Sequence, residues 1–144
     1  MGISPILAGG KTTAQCAIIE TENGFLRDGA VPWPDALDAL QAAPEHHRLL
    51  FEDARVRVID TRIAPGERTA VHTHRFPSIL YIVSTGDFLR YDADGAVITD
   101  SRKMPAQAVP SAFRFPPMPP HSVENIGSTL VHLVNVEFKT EGEA

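Results

Sequence analysis

Residues 66–86 read GERTAVHTHRFPSILYIVSTG, and this stretch decides the fold. It carries His72 and His74 two positions apart, in a segment rich in β-branched and small residues. Successive side chains of a strand point to opposite faces, so a His-x-His pair on a strand places both imidazoles on one face. Neutral imidazole is the commonest metal-ligating side chain, and two on one face suit chelation of a single ion. The short pattern is weak evidence by itself, so its surroundings have to decide. Pro77 separates the histidine segment, Thr69–His74, from a second extended run, Ser78–Ser84, and glycines stand at both ends, Gly66 and Gly86. With His72 and His74 facing inward, Val71 and Thr73 face out. The same alternation carried onward places Ile79, Tyr81 and Val83 inward and Leu80 and Ile82 outward.

Moving outward, the period of two continues on both sides. Arg55–Ala64, Asp87–Tyr91, Ala96–Asp100, Ser111–Phe115, Ser122–Asn125 and Leu130–Phe138 read as further short strands. Pro65-Gly66, Asp92-Ala93-Asp94-Gly95, Pro116–Pro120 and Ile126-Gly127-Ser128 punctuate them, and Asp94-Gly95 is a hairpin signal. Short strands with turn signals at this spacing indicate an antiparallel sandwich or barrel. Lys103–Pro110 is the one long irregular connection, read as a flap beside the barrel mouth. The first 48 residues differ in character. An arm rich in glycine and polar residues holds a short strand candidate, Ala17–Glu20. Val31-Pro32-Trp33-Pro34 is held extended by its prolines. Asp35–Ala43 then reads as a short helix with Leu37 and Leu40 on its packing face, started by Pro34 and stopped by Pro44. The whole chain, 1–144, is expected to be one domain, with an arm and helix over 1–48 and a β core over 49–139.

Two spacings point further. Gly66, five residues, His72, one residue, His74, four residues, position 79, six residues and Gly86 form the first; Pro116, Met118, His121 and Asn125 form the second. Together they resemble the two motifs of the cupin superfamily over about Arg55 to Glu137. The resemblance implies an all-β, antiparallel, jelly-roll-like β-barrel, usually dimeric, with one divalent metal ion inside. Transferred position by position, the implied ligands are His72, His74 and His121. The sequence departs from the family at three places: Ile79 stands where the family has a glutamate ligand, and Pro110 and Met118 occupy glycine positions of the second motif. Isoleucine cannot ligate a metal. Either the ion stays on three neutral imidazoles, as in the three-histidine cupins, or the site has decayed and the histidines are structural. In the first case the protein gives the ion no negative charge, which favours anionic ligands in its open positions. Fe(II) suits three imidazoles with open positions best, with Zn, Ni or Mn as other choices.

The resemblance leaves the reaction open between dioxygenase-like and isomerase- or lyase-like chemistry on a small organic molecule, and a non-catalytic ligand-binding or sensor role stands beside both. Tyr81 is the candidate proton donor, or alternatively an aromatic filling the barrel. Asn125 is placed to close the turn into Gly127, and Glu124, on the opposite face from His121, is a poor replacement for the absent carboxylate. His46 and His47 read as surface or capping residues. His132 would join the site only if the last strand were read one residue out of phase. Arg62, Arg75, Arg90 and Arg114 lie on or beside core strands, where any of them could meet an anionic substrate; their facing is left open. Leu80 and Ile82, read as outward, call for cover by the helix, a second sheet or another subunit, and a homodimer is the economical choice.

Thirteen basic against eighteen acidic residues give a net charge of −5 without a Lys/Arg cluster, which argues against nucleic acid or an anionic membrane as partner. The single cysteine, Cys16, cannot form an intrachain disulfide and reads as an incidental thiol. The N-terminus lacks the pattern of a signal peptide, and no apolar run approaches the roughly 20 residues of a membrane span, so the expected location is the cytoplasm.

Overall fold

The computed structural model describes residues 31–139. Nine strands follow one helical turn, α1 (Ala39–Ala42). They are β1 (His47–Glu52), β2 (Val56–Ile63), β3 (His72–His74), β4 (Ser78–Ser84), β5 (Phe88–Asp92), β6 (Val97–Asp100), β7 (Ser111–Phe115), β8 (Met118–Asn125) and β9 (Val131–Phe138). All ladders are antiparallel, in a five-stranded sheet of order β1-β2-β9-β4-β7 and a four-stranded sheet of order β3-β8-β5-β6. The expected all-β jelly-roll is present, but its barrel is not closed, because among the described residues no strand ladder joins the two sheets.

The turns follow from the residues that punctuate the strands. Asp94-Gly95 closes the β5–β6 hairpin, with Gly95 at φ +89 and the Asp92 carboxylate accepting from the backbone N–H groups of Asp94 and Ala96. Gly66, at φ +85, occupies the left-handed region that L-residues avoid, in the connection leading to the histidine strand. Asn125 does what its spacing suggests: Oδ1 accepts from Gly127 N, while Nδ2 donates to the carbonyls of Ile63 and Thr129, which ties the end of β8 to β2 and to the start of β9.

The helix is shorter than expected. Residues 35–43 form a single 3-10 turn (Asp35–Leu37) and then one α-helical turn. Ala39 and Ala43 are its fully buried residues, rather than the two leucines. The reason is Asp38: its side chain caps Leu40 N and pairs with buried Arg57, drawing the small-residue face of the helix against the sheets. The expected strand Ala17–Glu20 and Cys16 lie outside the described residues.

Register assigns the faces of the five-stranded sheet. Arg57, Ile59, Thr61 and Ile63 of β2 share a face with Val131, Leu133, Asn135 and Glu137 of β9 and with Ser78, Leu80 and Ile82 of β4. This is the inner face; Ile59, Ile63, Val131, Leu80 and Ile82 on it form the buried apolar core. The alternation carried from β3 into β4 is therefore reversed. Leu80 and Ile82 point in, whereas Tyr81 and Val83 are 43% and 39% exposed. Parity cannot be carried through Arg75-Phe76-Pro77, a connection outside both strands, and the run Ile79–Val83 is apolar on both faces, so hydrophobicity does not choose between them.

A candidate metal centre

Three strands bring four imidazoles together. His72 and His74 stand on β3, His121 on β8 directly opposite His72, and His47 begins β1 in the other sheet. All four are at least 95% buried. The His72 ring lies 4.5 Å from those of His47 and His121, and the His74 ring lies 5.1 Å from His72 and 5.5 Å from each of the other two. The nearest donor atoms of His47, His72 and His74 all fall within 4.8 Å of one another. Of the expected residues, His72 and His74 belong to this group with His47 as its third member, and the His121 ring lies beside it. Reading His47 as a surface residue is corrected, while its ring does bond the carbonyl of Ala43, the C-cap of α1, as a capping histidine would. It is the one buried residue of β1, and the five that follow it are exposed.

Every ring is oriented by an acceptor at Nδ1. His47 donates to the carbonyl of Ala43 at 2.9 Å, His72 to that of Ala70 at 2.8 Å, His121 to that of Pro119 at 2.7 Å, and His74 to the Glu137 carboxylate at 3.2 Å. Carbonyls and carboxylates only accept, so each Nδ1 carries a proton, and in a neutral ring the lone pair then lies on Nε2. Fixing the tautomer through the other ring nitrogen is how metal-ligating histidines are held. Burial, reinforced by the neighbouring imidazoles, lowers the pKa of His47 to about 4 and that of His121 to about 3, and holds His72 far below the ordinary histidine range. These imidazoles are therefore neutral at pH 7, as coordination requires. The donor set fits a divalent ion, and the site can hold one.

The family's carboxylate position is rearranged rather than simply empty. Ile79 faces outward, and the inward residue at that point is Ser78, whose Oγ is buried without a partner. Opposite Ser78 on β9 stands Glu137, fully buried. Its Oε2 accepts from His74 while its Oε1 takes Nε and Nη2 of Arg57 at 3.0 and 2.6 Å, and Arg57 in turn holds Asp38 through two bonds of 3.1 and 2.9 Å. Two carboxylates and one guanidinium leave a formal charge of −1 buried beside His74. A positive ion on the far side of that ring would offset it. Sequence reasoning missed Glu137 because it lies 63 residues from His74 and belongs to neither motif.

The remaining candidates separate cleanly. Tyr81 points away from the histidines and does not line their cavity. His132 lies on the outer face against Asp60 at 2.7 Å, and His46 pairs with Glu67 at 3.3 Å. Glu124 is on the outer side of the four-stranded sheet, where it accepts from Tyr91. Among the arginines, Arg62 pairs with Asp60, Arg75 with Asp35, and Arg114 lies opposite outward-facing Ile79. Arg90 alone of the four lines the cavity.

That cavity, of about 590 Å³, runs from the histidines between the two sheets. Ile63, Leu80, Ile82, Phe113, Phe115 and Leu133 give it apolar walls, Met118 fills the position of the absent glycine, and Lys103, Met104 and Gln107 of the long connection line it too. Its size is that of a small-molecule site.

Comparison with known proteins agrees on architecture. No family model and no curated protein matches the sequence. Among solved structures, a cupin domain from Bordetella pertussis Tohama I superposes with a TM-score of 0.54 at 23% identity, covering 65% of this chain and 92% of that one. An RmlC-like cupin family protein with a double-stranded β-helix fold from Methanocaldococcus jannaschii gives 0.48 at 15% identity, over 64% and 77% of the two chains. No helix among the described residues is long and apolar enough to cross a membrane. Two facing antiparallel sheets and the likeness to the Bordetella cupin domain make the chain a cupin in fold.

Proposed function

We propose that this protein binds one divalent metal ion on His72, His74 and His121, with His47 able to complete the set, and acts on a small anionic organic molecule. The observation that carries the reading is the shared orientation of the four rings: every Nδ1 is engaged by protein, so every Nε2 is left for a ligand. An ion held there supplies a Lewis acid with open positions and, as Fe(II), redox chemistry toward dioxygen. The chain's own residues orient the rings, keep them neutral and screen the centre from water with apolar walls.

Dioxygenase-like chemistry is favoured over isomerase- or lyase-like chemistry. The latter needs a proton carrier at the substrate, and the cavity is poor in them. Tyr81 is outside it, and Asp100 is held by Arg102 through Nε and Nη2 and lies at a pKa of about 2. The same poverty also favours the second reading, a non-catalytic binder or sensor. A homodimer suits the outer face of the five-stranded sheet, where Val58, Val134, Val136, Ile79 and Tyr81 are left at least partly accessible. The lone cysteine suits a cytoplasmic setting.

Metal analysis of protein purified without a histidine tag tests the centre, followed by oxygen uptake of the Fe(II)-loaded protein with small carboxylic acids, thiols and diketones. About one ion per chain, lost in His72→Ala, is expected. Less than about 0.2 ion per chain, unchanged by that substitution, would sink the metal reading. A stoichiometric ion with no oxygen uptake on any substrate class would leave the binder.

A further inference from the structure

Among the described residues, the cavity contains a cation with no counter-charge. Arg90 sits on β5, paired with Val123 of β8 and Thr99 of β6, on the same face as His121. Its Nε is sheltered from solvent without a hydrogen-bond partner, and among the described residues no carboxylate pairs with it. The acidic side chains that might do so are already engaged. Asp92, across from His121, is tied to the backbone of its own turn, and Asp100 is held by Arg102. Burial alone lowers the Arg90 pKa, with nothing opposing it. From the facing sheet, Asn135, 1% exposed, lines the same cavity with Nδ2 unbonded while its Oδ1 accepts from Thr61. A guanidinium whose Nε is shut off from solvent without a partner is costly, and an unspent amide donor adds to that cost. An acceptor entering the cavity at Arg90 offsets the first cost, and a carboxylate matches a guanidinium in geometry and charge.

We propose that the cavity selects small carboxylic acids with an apolar body, the carboxylate seated on Arg90 and the body packed against Leu80, Ile82, Phe113 and Leu133. Lys103, the other cation lining the cavity, adds to the preference for an anion, whereas neutral molecules of the same shape leave Arg90 unpaired. This deepens the reading of an anionic ligand given above, yet it rests on Arg90 and the walls and does not need the ion.

The test is calorimetric titration of octanoate and 4-phenylbutyrate against their primary amides, on metal-free and on Zn-loaded protein. In both forms the acids are expected to bind at least about tenfold tighter than the amides, the scale of one charge-assisted hydrogen bond. In the metal-free protein Arg90→Met should remove most of that preference, with metal-binding capacity unchanged, and Arg90→Lys should keep part of it. Arg90→Gln serves as the second neutral variant if Arg90→Met does not fold. Equal affinity for acid and amide in the metal-free parent protein would overturn the proposal without using any variant. A preference that appears only with the ion and survives Arg90→Met would overturn it too, while leaving the metal centre standing. A protein that binds no metal but discriminates through Arg90 would support it and sink the other reading.

Discussion

The two faces of the five-stranded sheet invert the usual expectation. At the histidine end the inner face is polar: Arg57, Thr61, Ser78, Asn135 and Glu137 are each at least 92% buried there. The outer face across the same strands carries Val56, Val58, Ile79, Tyr81, Val134 and Val136. A sheet that covers only a core would place these residues the other way round. The difference teaches that the interior here is arranged around a site: Arg57, Thr61 and Glu137 are set against partners, while Ser78 Oγ and Asn135 Nδ2 are left unbonded. Glu137 is the pivot, taking His74 on one oxygen and Arg57 on the other.

Breaking that pivot should give the largest effect. Glu137→Ala leaves a buried guanidinium with only Asp38 and leaves the His74 Nδ1 proton without an acceptor. A loss of about 3–5 kcal/mol in urea-induced unfolding is expected, the scale for removing one member of a buried ion pair. Glu137→Gln, which keeps an acceptor but removes the charge, should lose less stability and weaken metal binding by about 10–100-fold, as outer-shell changes do. On the other face, Val136→Asp should leave metal content intact and, for the homodimer proposed above, shift the mass seen by sedimentation from dimer to monomer.

Acid should act on the histidine cluster of the inner face. The folded-state pKa values of His47, about 4, and His121, about 3, lie below the ordinary 6.5. Between those values and 6.5 the unfolded chain binds more protons than the folded one. Their contribution to the stability of metal-free protein is therefore fully present above pH 6.5 and falls as the pH drops toward 4 and then 3. Thermal unfolding of metal-free protein across this range checks the direction. His47→Gln should flatten the upper part of the fall. The smallest effect belongs to Tyr81→Phe, an exposed position on the outer face: stability within about 0.5 kcal/mol and unchanged metal content, by calorimetry and metal analysis.

The comparison also marks where sequence could be read. His72, His74, His121 and Asn125 were legible because their spacings fix which strands carry them, and a two-residue step on one strand keeps the face. The Asp94-Gly95 hairpin was legible because so few residues suit its turn. Facing on β4 was not legible: both of its faces are apolar, one toward the cavity and one outward. His47 was hidden by its strand. β1 is an edge strand with Leu49, Leu50 and Phe51 all exposed and a register shift between Leu49 and Phe51, so no alternation marks its first residue as buried. Glu137 could be found only through the β4–β9 ladder, a long-range pairing that local pattern does not contain. Arg90 shares a face with His121 by register, but that it has no partner is a property of the whole interior.

The central claim, an ion held by inward imidazole nitrogens, is tested most directly by X-ray absorption of Zn- or Fe(II)-loaded protein. The spectrum should show the imidazole scattering of at least three histidines per ion, falling by about one in His121→Ala. An ion surrounded by oxygen alone, with a spectrum unmoved by His121→Ala and His74→Ala, would contradict it.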